Sequence, residues 1–144
     1  MTTRMSSAEK QAFLADLHVG VVSIPRAHLG PLTVPVWYQF EPDTSGGELW
    51  FLTGRNSRKG KLLSLGSRIS LCAQSEQAPY KYVSVEGPVS SLDPAAGEIL
   101  PMAVRYLGEE MGRTYANASE QEENVVVRMK PENWLAVDYA KSDL

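Results

Sequence analysis

Residues 48–61 read ELWFLTGRNSRKGK. The first six, rich in aromatic and aliphatic side chains, form a β-type segment ending at Thr53, and the chain then passes through a polar turn into a short helix that begins near Ser57 as N-cap. Four cations, Arg55, Arg58, Lys59 and Lys61, crowd this turn in a chain whose net charge is −3. A strand that ends in such a turn aims backbone N–H groups, the hydroxyls of Thr53 and Ser57 and fixed positive charge at one small volume, an arrangement that suits a phosphate. Arg58 offers a fork of donors and Lys59 a point charge. On spacing alone, a solvated cationic turn with no ligand competes with this reading.

Outward from this stretch the chain repeats the same type of element. VGVVSI (19–24), LTVPVWYQF (32–40), RISLCAQ (68–74), YKYVSVEGPVSSL (80–92), NVVVRM (124–129) and NWLAVDYA (133–140) are β-type segments separated by turn clusters such as PRAHLGP (25–31) and EPDTSGGE (41–48). Alternation places Ile69, Leu71 and Ala73 on one face of their strand, and Val83 with Val85 on one face of theirs. Pro35 lies inside the second segment and predicts a bulge or an edge there, because proline cannot donate to a ladder. The opening SSAEKQAFLADL reads as a helix with capping-box spacing between Ser6 and Glu9. A short helix is expected from Ser57, with Leu62, Leu63 and Leu65 offered to the core. A longer one is expected over 93–108, with Asp93 as N-cap, a kink at Pro101 and an end before Gly108. Residues 109–123 read as helix or loop. Six or seven strands with few, separated helices predict a mainly β (α+β) fold, a small antiparallel barrel with peripheral helices.

Composition bounds the function. The 144 residues, 43% of them hydrophobic, suit one packed domain over 1–144. A net charge of −3 offers no general attraction to nucleic acid, so the cationic turn fits a small anion. The one cysteine, Cys72, cannot form an internal disulfide, and no apolar run approaches the roughly 18 residues of a membrane span. A cytoplasmic protein without membrane partners is expected. No metal-ligand spacing or serine or thiol nucleophile motif occurs, so no metal and no catalytic side chain is assigned. Glu9, Glu109, Glu110, Glu122 and Glu123 read as a solvated face. His18 and His28 read as structural histidines.

The run TGRNSRK (53–59), following an aromatic strand and leading into a short helix, resembles the Thr-x-x-x-Ser-Arg-Lys signature of the pyridoxamine 5'-phosphate oxidase-like, FMN-binding split-barrel family. GPLTVPVWYQF, YKYVSVEGPV and NVVVRMKPENWLAVDY resemble further strands of that family, in order, over roughly residues 10 to 140. The resemblance implies a six- to seven-stranded split β-barrel. It also implies that Arg58 and Lys59 hold a cofactor phosphate beside Thr53 and Ser57, and that Val36, Trp37 and Tyr38 lie along the flavin. Tyr82 is implied to approach the cofactor from the second subunit of a homodimer with the cofactor at its interface. Thr33 and Tyr38 stand where the true oxidase carries an Arg and a Lys, so pyridoxamine phosphate oxidation is not expected. The pattern is closer to the small flavin and deazaflavin oxidoreductases, which implies FMN, with coenzyme F-420 as the alternative, and hydride transfer to or from a small conjugated substrate. Trp37, Tyr38, Tyr80, Tyr82 and Trp134 are candidates for the pocket, and the substrate itself is not indicated. The rival from another class is a non-enzymatic split-barrel protein that binds or senses a flavin or haem.

Overall fold

The structure is a computed structural model that describes residues 2–142. Seven strands account for the β-type segments: β1 Val19–Ile24, β2 Leu32–Glu41, β3 Glu48–Gly54, β4 Arg68–Gln74, β5 Lys81–Pro94, β6 Asn124–Met129 and β7 Asn133–Asp138. Four helices punctuate them: α1 Ser7–Ala15, α2 Arg58–Leu62, α3 Ile99–Leu107 and α4 Glu109–Ala118. The strands follow the order β4-β1-β2-β3-β6-β5, all antiparallel, and β5 returns to β4 to close a barrel. β7 adds to the free side of β5. The fold is a mainly β split barrel with helices outside it.

Two strands make closure possible by changing partners along their length. β5 pairs with β4 and β7 through its first half, from Lys81 to Pro88, and with β6 from Val89 onward, after an irregularity between Val89 and Ser91. β2 pairs with β1 from Leu32 to Trp37 and with β3 from Tyr38 to Glu41. Pro35 therefore sits where β2 has a neighbour on one side only, which is where a residue without an N–H is tolerated. β3 meanwhile runs on beside β6 to Gly54. The two strands splay apart past Tyr38–Phe51, and this is the split.

The alternating faces fill the barrel. Val22, Ile24, Tyr38, Phe51, Ile69, Leu71, Val83, Val85 and Val127 are buried there, and Leu14 of α1 is packed with them. α1 starts at the expected capping box: Ser6 Oγ accepts from the Glu9 N–H, and Glu9 Oε1 accepts from the Ser6 N–H. β3 and β6 are buried on both faces at their centres. Trp50 and Val126 face outward onto Met102 of α3, forming a second small core with Trp37, Leu52, Ala95 and Tyr106 around it. Burial on both faces explains why ELWFL and NVVV are nearly continuous apolar runs.

The helical expectation over 93–108 needs correcting. Asp93 and Pro94 are not a helix start; they complete β5 opposite Val126 and Val125. α3 begins only at Ile99, so Pro101 falls in its first turn, where a missing N–H breaks no helical bond and produces no kink. Its end is as expected, at Gly108, whose φ of 86° suits glycine. The helix–loop alternative over 109–123 resolves as α4 through Ala118. Gly112 lets α4 cross α3 closely, since a Cβ there would stand 2.7 Å from the backbone of Val104. Leu63 is buried as expected, whereas Leu65 is exposed.

A cleft in the split of the barrel

Extended by one rung past Tyr38–Phe51, the β2–β3 register would join Trp37 to Leu52. Both residues instead line a cleft of about 440 Å³, within the range of small-molecule sites. One wall is Val19 of β1 with Pro35, Val36 and Trp37 of β2. The opposite wall is the end of β3 and the turn after it: Leu52, Thr53, Gly54, Ser57 and Lys59. Ile99, Met102 and Ala103 of α3, Tyr115 and Ser119 from α4 and its end, and then Glu122 and Asn124 complete it.

The cationic turn is shaped by its own hydroxyls. Ser57 caps α2: its Oγ accepts from the Gly60 N–H at 3.1 Å, donates to the Gly54 carbonyl at 2.8 Å, and lies 2.9 Å from Thr53 Oγ1. Thr53 is buried, so this hydroxyl pair forms the floor of the cleft's polar end. A Cβ at position 60 would collide with the Gly54 carbonyl oxygen and come within 2.6 Å of that of Arg55, so glycine allows α2 to lie against the turn. With five residues, α2 contributes little dipole, and the positive field comes from side chains. Arg55 stands 3.7 Å from Glu123, while Arg58, Lys59 and Lys61 make no ion pair among the described residues. Lys59 lines the cleft and is half-buried; Arg58, next to it, is exposed and outside the lining.

The β2 wall is held by α3. Tyr106 lies parallel to the Trp37 indole, with centroids 5.2 Å apart and planes 7° apart, and Tyr115 meets the same indole at 5.2 Å and 54°. The Tyr106 hydroxyl accepts from the Tyr38 N–H at 3.0 Å and lies 2.6 Å from the His18 carbonyl and 2.9 Å from that of Tyr38. It thus stands where β1 and β2 would form their next rung, His18 to Tyr38. Neither tyrosine carries a motif in the sequence; a stacked partner for Trp37 was not legible without the long-range placement of α3.

Of the residues singled out in the sequence, Thr53, Ser57, Lys59, Val36 and Trp37 come together in the cleft. Tyr38 does not: its side chain is buried inside the barrel, its hydroxyl donates to the Leu14 carbonyl at 2.7 Å, and burial pushes that hydroxyl's pKa upward. Tyr82 lies on β5 between Gln74 and Val137, outside this chain's cleft lining. Trp134 packs edge-on against Phe40, away from the cleft, and Tyr80 is exposed before β5. Glu122, read as part of a solvated face, is exposed and also borders the cleft. His18 stacks on Phe13 with its ring nitrogen 3.0 Å from the Phe13 carbonyl, a structural placement.

A family model described as pyridoxamine 5'-phosphate oxidase matches residues 6–138, and the chain belongs to that family. Among solved structures, a conserved hypothetical protein of Mycobacterium tuberculosis superposes with a TM-score of 0.75 at 22% identity, covering 99% of this chain and 90% of that one. An F420 reductase gives 0.66 at 16% identity, covering 87% and 94%. An FAD-binding protein of Mesorhizobium loti gives 0.60 at 17% identity, covering 92% and 94%. At these identities the likeness is one of fold. No curated protein matches the chain.

Proposed function

We propose that the cleft in the split binds a flavin nucleotide, FMN before coenzyme F-420, and that the protein is an oxidoreductase acting on a small conjugated substrate. The observation that carries this reading is the pairing of an aromatic-walled cleft with a cationic turn in which Arg58 and Lys59 have no carboxylate partner among the described residues: Lys59 lines one end with Arg58 beside it, and Val36 and Trp37 lie along one wall. Membership of the family and the fold shared with an F420 reductase and an FAD-binding protein support the cofactor class.

The chain's residues fit such a group in a definite way. Arg58 and Lys59 meet the phosphate with charge-assisted hydrogen bonds. Thr53 and Ser57 keep the turn in shape, their hydroxyls already engaged with each other and with Gly54 and Gly60. Trp37, fixed by Tyr106 and Tyr115, presents a rigid wall, and Met102 and Ala103 exclude water from the opposite side. When bound, the cofactor supplies the hydride transfer to or from substrate, which accounts for a site without a catalytic triad.

A homodimer belongs to the same reading. Val21, Cys72, Ser84 and Leu135 form one row across β1, β4, β5 and β7 on the outer face. These are apolar or small side chains, with Val21 39% and Leu135 58% exposed. The face adjoins Val19, Pro35 and Trp37, which border the cleft. A second copy seated there covers the apolar row and brings its Tyr82 beside the cofactor. Parallel titration with FMN and coenzyme F-420, read by tryptophan quenching, tests the cofactor; reduced cofactor that only dissolved oxygen reoxidises, over a broad acceptor panel, would contradict the enzymatic part.

A further inference from the structure

One side of the cleft in the split is built from a lightly packed segment. Tyr115, Ser119 and Glu122 line the cleft, and all three belong to residues 113–122, the C-terminal part of α4 and the turn that leads to β6. Within this segment only Ala116 and Ser119 are not exposed. Ser119 is buried, yet its bonds are local: its Oγ donates to the Tyr115 carbonyl at 3.0 Å and its N–H to the same carbonyl at 3.1 Å. The Glu120 N–H donates to the Asn117 carbonyl, the Glu122 N–H to that of Ser119, and Arg113 pairs with Glu109 one turn back. Among the described residues the segment shares no hydrogen bond with the barrel short of its last residue, where Asn124 Nδ2 lies 3.5 Å from the Glu122 carbonyl.

The segment is anchored at its two ends. Before it, Gly112 packs on Val104 of α3. After it, the Arg55 N–H donates to the Glu123 carbonyl at 2.8 Å, and Asn124 enters β6 opposite Gly54. Between these anchors Tyr115 seats the segment on the barrel: its ring meets the Trp37 indole at 5.2 Å and is still 47% exposed. A segment with few buried contacts, whose hydrogen bonds close on itself, swings as a unit without breaking a rung of the barrel.

We infer that residues 113–122 are a lid over the cleft, latched by Tyr115 on Trp37, which opens to admit a ligand and closes behind it. The lid rests on the cleft being a ligand site, as proposed above, but its opening belongs to the free chain. Closed, it holds Trp37 in place and keeps water from the aromatic wall.

Hydrogen exchange of the full chain, read by mass spectrometry with and without FMN, tests the lid. In the free chain, amides of 113–122 are expected to exchange roughly tenfold or more faster than those of α3 and β6. Tyr115→Ala, although alanine is the better helix former, should speed exchange over 113–122 by roughly two- to tenfold, the worth of one aromatic pair, and leave α3 and β6 unchanged. Tyr115→Phe keeps the ring and should match wild type. FMN, at a concentration that saturates tryptophan quenching, should slow exchange over 113–122 in wild type and less so in Tyr115→Ala. Exchange over 113–122 as slow as over α3 and β6, no change in Tyr115→Ala, or saturating FMN that leaves 113–122 unprotected would overturn the lid. FMN that quenches no tryptophan would instead count against the cofactor reading, and free-chain exchange in wild type and Tyr115→Ala would then decide the lid alone.

Discussion

One hydroxyl does the work of a missing ladder rung at Tyr106. Its ring stacks on Trp37 while its oxygen joins the Tyr38 N–H to the His18 carbonyl, so phenylalanine at this position would keep the stacking and orphan two backbone groups. Tyr106→Phe should cost about 1–3 kcal/mol, read in thermal unfolding as a fall on the order of 5 °C; an unchanged midpoint would show that the backbone groups find other partners. A second residue, Glu9, links the two ends of the described chain. The bond from Lys141, then those from Ser6, hold its carboxyl at about 2 against an ordinary value of 4.5. A depressed folded-state pKa stabilises fully above the unfolded value and is lost as pH falls through the folded one. The stability difference between wild type and Glu9→Gln should therefore be constant above about 4.5 and shrink as pH falls toward about 2. A difference that stays constant through that window would contradict the Lys141 and Ser6 account.

Among the elements, the strands were legible and one helix boundary was not, for different physical reasons. Strand 68–74 declares itself because a barrel wall buries Ile69, Leu71 and Ala73 and leaves the polar or small residues between them outside, and 124–129 because a run of β-branched residues fills both faces. Asp93-Pro94 carries a local helix-start signal that pairing with Val126 and Val125 overrides, a contest decided by residues more than thirty positions away. The strand-to-helix turn after β3 was legible because capping is local: Ser57 caps α2 as its position predicts. Gly60 is the element's tightest requirement. Gly60→Ala forces α2 off the Gly54 and Arg55 carbonyls and should cost about 1–3 kcal/mol. It should also weaken cofactor binding, since Lys59 moves with the helix; a variant that loses stability yet binds FMN like wild type would separate α2 from the site.

At the scale of the whole molecule, the barrel is split because β2 pairs with β1 up to Trp37 and with β3 only from Tyr38 onward, and the cleft is the space so opened. Its cationic end could be read from TGRNSRK, and Val36 and Trp37 from the family resemblance of their strand. Its other wall, from Ile99 to Asn124, could not, because α3 is placed by packing on Trp50 and Val126 and α4 by packing on α3, and neither carries a local signal of what it covers. The exposed row Val21, Cys72, Ser84 and Leu135 predicts a solution mass by light scattering of twice the 15.8 kDa chain, reduced to one chain by Val21→Glu/Leu135→Glu. A wild-type monomer that still binds cofactor would contradict the shared-interface reading. The central claim is that the cations after β3 anchor a flavin phosphate in the split. The most direct measurement is FMN titration of wild type and Arg58→Ala/Lys59→Ala side by side, followed by tryptophan quenching. Saturable wild-type binding, weakened roughly a hundredfold or more in the double variant, is the predicted result, from the loss of two charge-assisted contacts. Equal FMN affinity in both proteins, or binding of FMN by neither, would contradict it.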